Sequence, residues 1–310
     1  MSDAVARLKA QLPEHPSVDE LTPLADDYTG LRILAVHAHP DDESSKGSAS
    51  AAAYTDRGAR YMVATMTGGE RGDILNEEIK HSPRAHRDLP GMRRSEMAAA
   101  AKAIGIEHRW MGFVDSGLPE GNPMPPLPFG CFGVQPLERA AAPLVRLVRE
   151  YRPHVMISYD EIGGYPHPDH IMSHKVAVEA YEKAGDPEAY VGEGQPWAPL
   201  KLYYDRAFNP ERLVAGHEFL MARDGQSVFS GWVENLVDQV STEGIRHEST
   251  TRIPSSAYFD RRDQAMLAHA SQIDPNGAFF AIPTEDVKKV WPWEDYTLIA
   301  SRVPVDLPEC

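Results

Sequence analysis

Two short segments gather imidazole and carboxylate side chains at spacings that suit a hydrolytic metal site. One is His37-Ala38-His39-Pro40-Asp41-Asp42-Glu43; the other is Asp160-Glu161-Ile162-Gly163-Gly164-Tyr165-Pro166-His167-Pro168-Asp169-His170. Imidazole nitrogen and carboxylate oxygen suit Zn²⁺, and a catalytic zinc needs three protein ligands plus an open position for water. His39 and Asp42 stand three apart across a turn that enters a helix, so both can converge on one point. His170, at the start of another helix, can close the triangle. Asp41 and His167 are then left unligated beside it, a candidate base and a candidate acid, with Asp169 free to orient a neighbouring imidazole. His37 shares a strand face with His39 and is the alternative ligand. Glu43 is either catalytic or a first-turn carboxylate stabilising a helix dipole.

These segments must be aimed by regular elements. Leu31 to Val36 is a short apolar run of the kind found in buried parallel strands, and Ser44 to Arg57 reads as a helix that Gly58 ends. Arg60 to Thr67 is a second strand. The alternation continues with helices over 92–104, 137–151 and 170–184 and strands over 108–113, 155–159 and 200–204. A further helix is expected near 261–272 and a last strand over 298–303. This pattern predicts an α/β fold: a Rossmann-like, mostly parallel sheet with helices on both faces and a smaller C-terminal part. The expected organisation is a surface arm over 1–28, a hydrolase core over 29–205, and a region over 206–310 that completes the fold and the substrate pocket. In such sheets ligands bind outside the carboxyl ends of the strands, which is where both acidic, histidine-bearing segments fall.

Composition narrows the class. In 310 residues, 42% are apolar and 25% charged, as in an ordinary globular protein. A net charge of -15 argues against nucleic acid and anionic membranes as partners. There is no apolar run of membrane-spanning length and no secretory leader pattern, which points to the cytoplasm. Cys131 and Cys310 are far apart and offer no thiolate zinc site. No dinucleotide or P-loop pattern follows any strand. Isolated histidines such as His81, His86, His108, His217 and His247 read as polar loop residues.

The pair His-Pro-Asp-Asp-Glu (39–43) and His-Pro-Asp-His (167–170), each after a strand, resembles the paired motif of the LmbE-like (PIG-L-type) zinc deacetylases. The resemblance runs from about Leu31 to Pro304. It implies one Zn²⁺ per chain on His39, Asp42 and His170, with Fe²⁺ as an alternative metal that an N/O ligand set tolerates. It implies Asp41 as general base, His167 as the group that stabilises or protonates the reacting amide, Asp169 orienting His167, and Tyr165 on a mobile loop. Three patches are similar to the mycothiol branch of that family: Asp42 to Gly47 with Lys46, Thr67 to Asp73, and Phe113 to Pro119. That similarity implies Glu70, Arg93 and Asp115 binding sugar and inositol hydroxyls, with Arg94 as the alternative to Arg93, since carboxylates and guanidinium offer paired acceptors and donors. Lys46, one helical turn beyond Asp42 and facing the metal side, would meet a substrate carbonyl or anion, or else is a surface lysine balancing Asp42 and Glu43. His269 either lines the pocket or packs a helix on the sheet.

The activity so implied is hydrolysis of the amide in a small-molecule thiol conjugate carrying a glucosaminyl-inositol moiety, giving an N-acetylcysteine S-conjugate and glucosaminyl-inositol. The rival readings are the deacetylase of N-acetylglucosaminyl-inositol and a non-catalytic, metal-containing sugar-binding protein. Lys46 and the proline-rich 119–128 segment argue against the first, and an unligated Asp41 beside three ligands argues against the second. No sequence feature points to an oligomeric state.

Overall fold

The computed structural model describes residues 3–243 and 247–305; Cys310 lies outside them. Among the described residues seven strands form one sheet in the order β3-β2-β1-β4-β5-β7-β6, with β6 at Thr251–Pro254 and β7 at Trp293–Ser301. β1 (Arg32–His37), β2 (Arg60–Thr67), β3 (Glu107–Phe113), β4 (Val155–Ser158) and β5 (Lys201–Asp205) run parallel. Along β1 and β2 alternate residues bury into opposite faces. Leu34, Val36, Met62 and Ala64 pack one side with α6 (Leu137–Tyr151) and α7 (Pro168–Lys183). Ile33, Ala35, Tyr61 and Val63 pack the other with α3 (Ser48–Thr55), with α5 (Leu89–Ile104), which follows the short α4 (Pro83–Arg87), and with α10 (Phe259–Ala268). Two buried faces explain why these strands read as continuous apolar runs.

The strand order reverses between β1 and β4, which pair directly through Ile33 with Val155 and Ala35 with Ile157. This is the topological switch point, where a crevice opens at the carboxyl ends of the strands. Both candidate segments start there.

Three expectations are corrected. The helix expected over 44–57 is two: α2 (Asp42–Ser45) and α3, separated at Gly47, whose φ of 94° is left-handed. A Cβ at Gly47 would stand 2.6 Å from the Tyr296 hydroxyl, so only glycine allows this close approach. The final strand is β7 (Trp293–Ser301), longer than expected and antiparallel between β5 and β6 (Thr251–Pro254). β6 has only four residues and ends in proline, so its pattern is too short to stand out. The arm over 1–28 also begins within the fold: Val5 and Leu8 of α1 (Asp3–Lys9) are buried against Val214, Val233 and Val240 of α8 (Pro210–Asp224) and α9 (Ser230–Glu243). Their i, i+3 spacing puts both on one face of a short helix.

Candidate metal centre

β1 delivers His39 and Asp42 across a turn in which Asp41 takes φ 124°, a strained value for a residue with a Cβ. Asp42 then opens α2. His170 sits in the first turn of α7, against Gly163, whose φ is 80° and where a Cβ would stand 2.4 Å from that of His170. The result is a buried triangle: Asp42 Oδ2 lies 3.5 Å from His170 Nε2 and 3.7 Å from His39 Nδ1. Ligand atoms about 2.0–2.1 Å from a tetrahedral zinc are separated by roughly 3.3 Å, so the three fit one ion.

His170 supplies the sharpest indication of fit. Its Nδ1 is 2.9 Å from the Gly163 carbonyl and so carries the proton, while Nε2 is buried with no hydrogen-bond partner and faces Asp42. A buried lone pair without a donor is what a cation would satisfy. Burial pushes the His170 pKa down to about 3, keeping the imidazole neutral as a ligand must be. At His39 burial also works against the charged form. The carboxylates of Asp115, Asp169 and Asp42 around it outweigh burial and raise the pKa to about 10.

A second metal-capable group, His39 with Asp115 and His167, overlaps the first. It is the poorer one, because it holds no buried ligand atom without a partner, as the first does in His170 Nε2. His37 belongs to neither group; its Nδ1 faces the Tyr159 hydroxyl at 3.3 Å.

Asp41 stands beside the triangle, half-buried, with Arg93 Nη2 3.2 Å from its Oδ2. Burial raises its pKa despite that guanidinium, which suits a group that must accept a proton. His167 caps α7 by accepting the Asp169 backbone N–H at Nδ1 over 3.1 Å. Its neutral form therefore carries hydrogen on Nε2, and burial and the neighbouring His39 hold its pKa down. Tyr165 is 40% exposed, its ring 4.5 Å from that of His170 and 6.0 Å from that of His167.

Several side chains face differently from what the resemblance implies. The Asp169 carboxylate does not orient His167: it bonds the hydroxyl and backbone N–H of Ser116 and lies 3.3 Å from His39 Nε2, so it orients a ligand instead. Arg93 is 3% exposed and donates to the carbonyls of Gly69 and Pro40 as well as to Asp41, which makes it a support for the base rather than a free partner for hydroxyls. Asp115 is likewise committed to the backbone. Glu70 accepts the Asp115 N–H through Oε1 at 2.9 Å and is half-buried, with Oε2 still to offer.

Lys46 needs the fullest correction. It pairs with Asp42, but in the interior and not at the surface: it is buried, its ammonium 2.6 Å from Asp42 Oδ1 and 5.4 Å from the Phe208 ring centre. The break at Gly47 takes it out of the helix and lets it fold back on the ligand. Removing one partner of a buried ion pair strands the other charge, at about 3–5 kcal/mol. Lys46→Met is therefore expected to lower the melting temperature by several degrees in chelator, and by less with Zn²⁺, since the cation then compensates Asp42. An equal shift in both conditions would contradict this role.

Sequence reasoning missed Tyr159, which it placed only as a strand residue. Its hydroxyl donates to Asp42 Oδ2 at 2.8 Å and accepts the Ala38 N–H at 2.9 Å, and its ring stacks on His170 at 4.4 Å. Position alone could have suggested it, as the last residue before the Asp160 loop. Tyr159→Phe should weaken zinc binding by about 10- to 100-fold, the usual effect of losing an outer partner of a ligand; competition against a chromophoric chelator measures it. His269 is resolved as well: it is fully buried, with Nε2 2.6 Å from Glu43 Oε1, and it packs behind the metal turn instead of lining the pocket.

Against known proteins, the GlcNAc-PI de-N-acetylase (PIG-L) family model matches residues 34–181. The mycothiol S-conjugate amidase of Streptomyces coelicolor is 47% identical over 281 residues, covering 90% of this chain and 95% of the relative. The chain belongs to the PIG-L family. Like its relatives in that family, it is a hydrolase of carbon–nitrogen bonds other than peptide bonds. A second PIG-L relative, the 1D-myo-inositol 2-acetamido-2-deoxy-alpha-D-glucopyranoside deacetylase of Streptomyces avermitilis, is 37% identical over 88% of this chain and 93% of its own. The fold is shared with the N,N'-diacetylchitobiose deacetylase of Pyrococcus horikoshii at TM-score 0.59 and 14% identity, over 86% and 83% of the two chains. Among the described residues no helix is long and apolar enough to cross a membrane.

Proposed function

We propose that this PIG-L hydrolase cleaves the amide bond of mycothiol S-conjugates in the cytoplasm, releasing an N-acetylcysteine S-conjugate and glucosaminyl-inositol, with one Zn²⁺ per chain on His39, Asp42 and His170 and Fe²⁺ as the alternative metal. The observation that carries the reading is the unpartnered His170 Nε2 facing Asp42, with an unligated carboxylate, Asp41, at the triangle's edge. The 47% identity to a mycothiol S-conjugate amidase supports the substrate. When bound, the metal supplies Lewis-acid polarisation of a carbonyl and lowers the pKa of water.

The side chains do the rest. Asp41 accepts a proton from the attacking water as its oxygen bonds to the amide carbon. His167 offers its Nε2–H to the oxygen on which charge develops. The carbon–nitrogen bond then breaks, and the proton held on Asp41 passes to the departing amine. Tyr165, on a loop with two left-handed glycines, forms one wall over the reacting groups, and Glu70 offers its second oxygen to a sugar or inositol hydroxyl.

The deacetylase reading is the second one, because the 37% relative acts on the same sugar-inositol frame. Amine release from a mycothiol S-conjugate and from N-acetylglucosaminyl-inositol, measured on one zinc-loaded preparation, separates them. A higher kcat/KM on the conjugate is expected; the reverse order would transfer the assignment to deacetylation.

A further inference from the structure

With Lys46 engaged by Asp42, discrimination between a bulky conjugate and a small acetyl group must come from elsewhere. A cavity of about 450 Å³ opens directly beside the metal centre, within the usual range for small-molecule pockets of about 300–1,000 Å³. Ser45 and Tyr165 form its border with the site; Ser45 Oγ is 3.2 Å from the Lys46 ammonium, and the Tyr165 ring touches His170. Beyond that border the walls come from 207–291 and are mostly aromatic and aliphatic, including Phe208, Phe229, Trp232, Phe279 and Trp291.

Three of these, Phe208, Trp232 and Phe279, are 45%, 49% and 46% exposed, although rings of this size are normally covered. The charged groups at the walls are already occupied. Arg262 stacks on Phe259 at 4.1 Å and pairs with Asp263, and Arg212 donates to the Ala207 carbonyl. Asn209 is 1% exposed and caps α8 through Oδ1, so the polar side chain at that helix start does not compete with an apolar occupant.

We propose that this cavity is the subsite for the S-substituent of the conjugate and selects apolar, aromatic substituents. The proposal rests on the amidase reading above and deepens it. An amide held at the metal triangle, with its sugar-inositol side toward Glu70, has the cysteinyl side left to pass Tyr165 into these walls. A small acetyl group would leave the cavity empty, so the subsite also accounts for discrimination against the deacetylase substrate.

The test uses hydrolysis products, which need no turnover: S-benzyl-N-acetylcysteine and S-methyl-N-acetylcysteine, titrated calorimetrically into the zinc-loaded full chain. The benzyl compound is expected to bind at least about tenfold more tightly, since several more apolar carbons are buried, with a more negative heat-capacity change. In the Trp232→Ala/Phe279→Ala double variant, whose targets are half-exposed and so tolerable to folding, its affinity should fall by about five- to fiftyfold, toward that of the methyl compound. Leu236→Trp, which fills the cavity instead of opening it, should do the same. Equal affinity for the two compounds, or a preference that survives in both variants, overturns the subsite. Preferential benzyl binding with no hydrolysis of any conjugate would sink the amidase reading alone, and conjugate hydrolysis with no benzyl preference would sink the subsite alone.

Discussion

Replacing His170 with alanine is expected to remove nearly all bound zinc and nearly all amide hydrolysis. Its Nε2 has no protein partner, so nothing in the folded chain compensates the lost ligand, and it is one of only three. His39→Ala should behave alike, while leaving Asp169 with its Ser116 partners but without the imidazole 3.3 Å away. His37→Ala should keep its metal, because His37 faces Tyr159 and not the triangle. Elemental analysis of the purified variants decides this. Full occupancy in the His39 variant with loss in the His37 variant would reverse the ligand assignment.

The second large effect is expected at Asp41, and it should be of a different kind. Asp41→Ala removes a proton acceptor and no ligand, so zinc content should stay near one per chain while turnover falls by roughly two to four orders of magnitude. Asp41→Asn should fall as far, because the amide keeps the shape and the Arg93 contact but cannot take the proton. Arg93→Ala, by contrast, releases Asp41 from its guanidinium and from the turn carbonyls it braces, and should lower turnover less steeply. Wild-type turnover in either Asp41 variant would remove it from the mechanism.

The contrast between these residues shows what the sequence made legible. His39, Asp42 and His170 could be assembled on paper because the first two follow the end of β1 directly, the third opens the helix that follows β4, and β1 and β4 are neighbours at the switch point. Local spacing then stands in for tertiary geometry. The centre of the parallel sheet was readable for a similar reason, since both faces of β1 and β2 are buried and these strands are largely apolar. Lys46 turns toward Asp42, as its i, i+4 spacing suggests, but its burial beside Phe208, distant in sequence, could not be read from that spacing. Arg93, Asp115 and Asp169 carry the right chemistry for hydroxyls or imidazole, yet their partners are set by carbonyls and N–H groups of loops that spacing does not locate. Tyr159 looked like any aromatic at the end of a strand. The apolar cavity was invisible because its lining, spread over α8, α9, α10 and the turns after them, reads in each segment as an ordinary core-facing stripe.

The central claim, metal-dependent amide hydrolysis of a mycothiol S-conjugate at one three-ligand centre, is tested most directly by titrating the chelated full chain with Zn²⁺ and following fluorescent detection of the released amine from the conjugate. Activity should be absent without metal, rise in proportion to added zinc, and break at one equivalent per chain, with the His170→Ala chain inactive throughout. Undiminished amine release from the metal-free chain, or none at any zinc load, would contradict it.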